Sequence, residues 1–271
     1  MPKEITHWTL AEKAVRLADD RSIKEVVSNN RFLYLLGAVS PDTPYYQTSP
    51  VTTDLYEEVG RRLHGISDGG AFKPLACVAR IYEEITQGAL AFLLGVISHL
   101  VVDGEYHPFI YHFSGNTHNA NRNEMLRASY RHRLLETYLD LHYYGDVEPA
   151  NGYSVYRAYK GKEMGDREFF DLLGALYFDD RAAHRRDTVN AMLAHCFWHG
   201  CFKREWLKYT VALASKISPF ASEHYAALFY PRMKPLRSPF FNGKISYKNH
   251  VTGSRHRESI KEIEEKCIKN I

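Results

Sequence analysis

The sequence lacks most of the features that assign a protein quickly to a class. Its 271 residues include four cysteines, Cys77, Cys196, Cys201 and Cys267, with no CxxC pair; that excludes a dense disulfide framework and suits a reduced compartment. Net charge is only +3, too small to argue for a stable nucleic-acid partner. The longest apolar run covers residues 89–102 and contains Gly95, Ser98 and His99. It falls short of the ~20 apolar residues that span a bilayer, so no transmembrane segment is expected and the run reads as a helix buried on most sides. The opening segment, Met1 to His7, has no apolar signal region, which makes the cytoplasm the expected location. There is no Ser/His/Asp nucleophile arrangement, no glycine-rich phosphate loop, no internal repeat and no low-complexity tract.

What is present is an ordinary globular composition, 45% hydrophobic and 25% charged, in a chain long enough for one large core and a deeply buried site. Charge is unevenly placed: residues 232–271 hold ten Lys+Arg against four acids, and the remainder holds 25 against 28. The expected organisation is therefore one helical domain over residues 1–231 and a basic C-terminal extension over 232–271. The extension reads as a solvated tail with a short helix, since its charges are interrupted rather than clustered.

Apolar spacing predicts helices nearly everywhere. They fall at about residues 10–18 with Thr9 as N-cap, 31–39, 53–63, 73–85, 88–102, 123–144, 166–178, 180–199 and 203–217. Pro41 and Pro44 break the second of these and put Asp42 on a loop at a helix end. His64-Gly65 stops the third before the turn Ser67-Asp68-Gly69-Gly70, Gly104 and Pro108 bracket a bend, and Gly145 to Gly152 closes the long helix. Residues 219–246 read as connection, and no alternating run suggests a sheet. The expected fold is an all-α multi-helix bundle.

The chemistry concentrates in the first half. His99 and Asp103 are four apart on a strongly apolar helix, one turn apart on the same face, and His132 and Glu136 repeat that geometry. Each pair presents an imidazole and a carboxylate to one point, as a helical metal half-site does. Chance placement of 14 His and 32 acids would give roughly one to two such pairs, and the sequence has four, with His64/Asp68 and His142/Asp146 crossing glycine at helix ends. Context separates the first pair, because an uncompensated charge at Asp103 beside so apolar a run would cost several kcal/mol. A cation would compensate it; so would a buried hydrogen bond to His99. His107, four beyond Asp103, adds a third potential ligand. His132/Glu136, flanked by Arg131 and Arg133, also fits a surface ion pair. His7 near the terminus, Asp42 in its turn and His64 at a helix end are weak taken singly. A separate set, His195, Cys196, His199 and Cys201, offers soft ligands for structural zinc, though adjacent His195 and Cys196 project about 100° apart on a helix.

Taken in order, His7, the segment Gly37-Ala38-Val39-Ser40-Pro41-Asp42, His64, His99xxxAsp103, His107-Pro108 and His132xxxGlu136 resemble the zinc-dependent phospholipase C family, related in site design to single-strand-specific zinc nucleases. The resemblance covers about residues 5–140 and implies an all-helical fold with two or three clustered zinc ions. It implies that His64, His99 and Asp103 bind one ion with Asp42 beside it as ligand or general base. His107, His132 and Glu136 would hold a second, with His112 as the alternative to His107, and Asp103 would bridge to a third near His7. Secreted members ligate that third ion through a mature N-terminal tryptophan, whereas here Trp8 lies inside the chain.

The implied activity is phosphodiester hydrolysis by metal-activated water with Asp42 orienting it, on a substrate such as a phospholipid head group. A nuclease using the same site, or a non-catalytic metal-stabilised interaction protein, satisfies the same ligands. Manganese or iron would accept the same donors. Tyr45, Tyr46, Tyr106 and Tyr111 lie near the proposed ligands and suit either a pocket or packing. Nothing in the sequence points to an oligomeric state.

Overall fold

Apolar residues at helical spacing organise the chain into α1 (Glu4–Leu17), α2 (Arg21–Asn29), α3 (Arg31–Gly37), a 3-10 helix (Ser40–Tyr46), α4 (Thr53–Leu63), α5 (Lys73–Ile81), α6 (Gln87–Ser114) and α7 (Arg122–Tyr143). There follow α8 (Val155–Gly161), α9 (Asp166–Phe178), α10 (Arg185–Phe202), α11 (Glu205–Ile217), α12 (Glu223–Ala226), α13 (Pro239–Asn242), an antiparallel hairpin of β1 (Ile245–Lys248) and β2 (Arg255–Glu258), and α14 (Ile260–Asn270). The class is all-α. This computed structural model describes residues 3–47, 49–65, 70, 72–117, 121–144, 154–217, 223–231 and 238–271. The turn residues 67–69, the acids Asp68 and Asp146, and the Gly145 to Gly152 stop lie outside the described residues.

The helices group into two compact units. One comprises Met1–Leu10, Val101–Gly152 and His199–Ile271; the other comprises Ala11–Leu100 and Tyr153–Trp198. In the second unit α3 packs on α8, α5 on α9, and α4 on both the 3-10 helix and α9. Helix α3 also meets the first half of α6 backbone to backbone. A Cβ at Gly37 would stand 2.0 Å from the Phe92 carbonyl oxygen, and one at Gly95 would stand 2.1 Å from the Tyr34 carbonyl oxygen. Only glycine permits that approach, and it brings the residues just beyond α3 against α6.

In the first unit α12 packs on α7 and α11, and α14 packs on α13 and β2. The Tyr106 and Tyr143 hydroxyls meet at 2.5 Å and tie α6 to α7. Helix α14 carries a full capping box, Ser259 with Glu262, and buries Ile260, Ile263 and Cys267. The C-terminal segment is thus packed, not only solvated. Its hairpin departs from the expectation of no sheet: Ile245 and Tyr247 face inward while Ser246 and Lys248 are exposed, an alternation too short to stand out in the sequence.

Several boundaries differ for physical reasons. Helix α1 begins at Glu4, so Thr9 is not an N-cap but an interior residue whose hydroxyl donates to the Ile5 carbonyl. Helix α5 ends at Ile81, and α10 begins at Arg185 after left-handed backbone at Asp179 and His184. Asp42 is not on a loop: Pro41 sits at the first turn of the 3-10 helix, where a missing N–H costs nothing. Helix α6 runs through the expected bend. Pro108 lacks the N–H that would bond the Gly104 carbonyl and its ring crowds that carbonyl, but Gly104 has no Cβ and open space around it, so its peptide can tilt. The resulting 28-residue helix is long and apolar enough to cross a membrane by length and composition. Within its most apolar window 61% of residues are buried inside the protein, as in a core helix, and it carries His99, Asp103 and His107.

Candidate metal centre

In the second unit three side chains converge from three elements. Asp42 comes from the 3-10 helix, His64 from the C-cap of α4, and His99 from α6; one ligating atom of each lies within 4.8 Å of the others. Asp42 Oδ1 is 3.2 Å from His64 Nε2 and 3.6 Å from His99 Nε2, and the two Nε2 atoms are 3.1 Å apart. The orientation of both rings is fixed from behind. His64 Nδ1 donates to the Gly60 carbonyl at 2.6 Å, and His99 Nδ1 donates to the Ala38 carbonyl at 2.9 Å. With both Nδ1 atoms protonated, a neutral pair turns two Nε2 lone pairs and a carboxylate toward one point.

Three electron-rich atoms facing each other repel unless a proton or a metal cation lies between them. The edge of a zinc tetrahedron with ~2.0–2.1 Å bonds to nitrogen is about 3.3 Å, and the observed separations of 3.1, 3.2 and 3.6 Å match it. The residues therefore fit zinc.

The first unit assembles a second group, His107 from α6 with His132 and Glu136 from α7, again within 4.8 Å. His132 Nε2 is 2.8 Å from Glu136 Oε1, and its Nδ1 faces the Ser114 hydroxyl at 3.5 Å. Arg131 donates to the Ser114 carbonyl at 2.8 Å and holds that corner. Burial pushes the His132 imidazole well below its usual range, which keeps it neutral and able to coordinate. His132 and Glu136 are 8% and 3% exposed, so the pair is not a surface ion pair. Asp103 stands between this group and α1: its Oδ1 is 3.8 Å from His107 Nε2 and 3.6 Å from His7 Nε2. His7 is fully buried rather than terminal and exposed, because α1 starts early enough to carry it.

His112 stays outside the group, since its Nδ1 accepts from the Lys248 backbone N–H. The His195/Cys196/His199/Cys201 set is not among the converging groups of the described residues. His195 Nδ1 meets the Thr43 hydroxyl at 3.0 Å and its ring stacks on Tyr46, His199 lies edge-on to Trp8, and all four cysteines are free and buried. The His195 contacts act on the 3-10 helix instead: Thr43 and Tyr46 flank His195, and Tyr177 donates to the Ser40 carbonyl, so Asp42 is held on a braced turn. Of the four tyrosines, Tyr45 packs against Gly60 and His64 and Tyr111 against His107 and His132, while Tyr106 is fully buried on Tyr143. The orienting groups, the Gly60 and Ala38 carbonyls, Ser114 and Thr43, are not singled out by the sequence, and His195 stands out there only as a candidate zinc ligand; a main-chain carbonyl leaves no mark in residue type.

Comparison with known proteins identifies a family. The model of the family described as zinc dependent phospholipase C matches residues 6–225. No curated protein and no solved structure matches the chain.

Proposed function

The chain belongs to the zinc-dependent phospholipase C family, and on that premise we propose that it is a zinc-dependent hydrolase that cleaves a phosphodiester, with a phospholipid-like substrate in first place. The observation that carries the reading is the pair of Nε2 atoms 3.1 Å apart, each turned inward by a hydrogen bond on its Nδ1. Two or three ions per chain would be held. Asp42, His64 and His99 hold one, His107, His132 and Glu136 another, and His7 with Asp103 contributes to a third. The His and carboxylate donors, without thiolate, suit zinc and leave manganese and iron as competitors.

When bound, zinc neutralises phosphoryl oxygens and lowers the pKa of water from ~15.7 towards ~7. The protein's own groups do the rest. Asp42, whose side chain is 11% exposed against 4% for His64 and none for His99, orients the attacking water and accepts its proton. The water oxygen bonds to phosphorus, the bond from phosphorus to the alcohol oxygen breaks, and the proton passes to that departing oxygen. A phospholipid would yield a diacylglycerol and a phosphorylated head group. The backbone-anchored rings of His64 and His99 stay in one tautomer throughout.

The test is elemental analysis of purified protein together with turnover of short-chain phosphatidylcholine, a nitrophenyl phosphodiester and single-stranded DNA. Two or three zinc ions and hydrolysis of the lipid ahead of DNA are expected. Bound metal with no turnover of any substrate would overturn the enzymatic reading in favour of a metal-stabilised interaction protein, and preference for DNA would replace lipid by nucleic acid.

A further inference from the structure

Helix α1 delivers His7 to the metal centre, and what fixes its first turn is a carboxylate on another helix. Asp140 on α7 is fully buried and both its oxygens are used. Oδ1 accepts from the Thr6 backbone N–H at 2.8 Å and the Thr6 hydroxyl at 2.7 Å; Oδ2 accepts from the Ile5 backbone N–H at 3.2 Å and the Tyr230 hydroxyl at 2.5 Å. With α1 starting at Glu4, the Ile5 and Thr6 N–H groups are among those no intrahelical carbonyl can reach. A negative charge there also complements the positive end of the helix dipole.

We propose that Asp140 is a positioning residue for the metal centre, clamping the first turn of α1 so that His7, the next residue after the clamp, meets Asp103. The inference rests on the zinc reading above. Asp140 follows Glu136 by one turn and His132 by two on α7, so the helix that supplies two ligands to one ion also sets a third ligand from a distant part of the chain. His7 Nε2 stands 3.6 Å from Asp103 Oδ1, close enough to share an ion and with little slack for a shift of α1. An amide cannot substitute fully. Asn presents one accepting oxygen, so its NH2 would face the Ile5 N–H, donor against donor.

The experiment is a zinc titration, in a competing chelator, of the full-length wild type and the variants D140N, H7A and D140N/H7A, with thermal unfolding of each apo form. Expected is a cooperative melt for D140N and weakening by about 10- to 100-fold of the same binding step that H7A weakens, the other steps unchanged. The double variant should be no worse than H7A. A D140N titration like wild type, or one in which every step weakens equally, overturns the clamp while leaving zinc binding intact. A wild type that binds no zinc removes both the clamp and the hydrolase reading. Should D140N fail to fold, Y230F, which removes a single donor, should weaken the H7A-sensitive step alone; its titration matching wild type would likewise overturn the proposal.

Discussion

Asp42 Oδ1 lies 3.2 Å from His64 Nε2, and the turn that carries it is braced by Tyr177 through Ser40 and by His195 through Thr43. Because neighbours hold the backbone there, replacing the carboxylate by an amide changes charge and basicity more than position. Asp42→Asn should still melt cooperatively, no lower than chelator-treated wild type, while kcat on a phosphodiester falls by about 10²- to 10⁴-fold, the range of general acid–base contributions. Turnover equal to wild type would remove Asp42 from the mechanism.

The inward-facing Nε2 atoms of His64 and His99 predict a stability cost of demetallation. Apo protein must hold two imidazole nitrogens and a carboxylate together without a metal ion between them, whereas holo protein has one there, and a ligand present at 100 times its Kd adds about 2.7 kcal/mol to folding. Chelator treatment should lower the melting temperature by several degrees and zinc should restore it. Calorimetry of both forms checks this, and identical melts would mean the cluster is satisfied without a cation.

His107 and His112 separate ligand from bystander. His107 Nε2 faces Asp103 and its ring adjoins His132, while His112 is occupied with the Lys248 N–H. His107→Ala should lose zinc from one group, by about 10-fold or more in affinity, and His112→Ala should keep wild-type stoichiometry. The reverse pattern in a metal count would make His112, not His107, the ligand.

Legibility followed how local each signal was. Helices α4 and α9 read to the residue from sequence, since the apolar period, the stop at His64-Gly65 and the polar residues after Phe178 all lie within a few positions. His99 and Asp103, and His132 and Glu136, stand out in the sequence because imidazole and carboxylate at i and i+4 leave a pattern, and the structure brings them into candidate groups. What escaped depends on contacts far along the chain. Passage of α6 through Pro108 is decided by the helix as a whole overriding a local breaker, the carbonyls of Gly60 and Ala38 could belong to any residue type, and nothing local marks Asp140, whose four donors come from α1 and Tyr230.

Gly95 predicts a destabilisation that composition alone would not. Its Cα side faces the Tyr34 carbonyl and the Ala38 N–H, so Gly95→Ala must push α3 away from α6 and with it the Ala38 carbonyl that orients His99. Overpacking of this kind costs about 1–3 kcal/mol or more. Gly200→Ala, where the added methyl meets open space on α10, should instead gain about 0.5–1 kcal/mol from helix propensity. Urea unfolding of both variants checks the contrast, and a neutral Gly95→Ala would mean the two helices are farther apart than described.

Asp140 gives the pH dependence its sign. Burial pushes its carboxyl up to about 6 from the usual 3.8, outweighing the nearby Lys3 charge and the Tyr230 and Thr6 hydrogen bonds that pull it down. Between about pH 4 and 6 the folded protein therefore holds a proton there that the unfolded chain has released, and stability falls as pH rises through that window, by about 3 kcal/mol in full. Above pH 6 both states are ionised and the slope vanishes. Lys3, lowered to about 8 by burial, acts only in the alkaline range, where stability should rise with pH from about 8 towards 10.5. Unfolding free energies of chelator-treated wild type and D140N at pH 4 to 7 isolate the carboxyl, since the histidines are common to both. The wild-type minus D140N difference should shrink from pH 4 to 6 and then level; a difference that is flat or grows would mean that the four donors, not burial, govern this group.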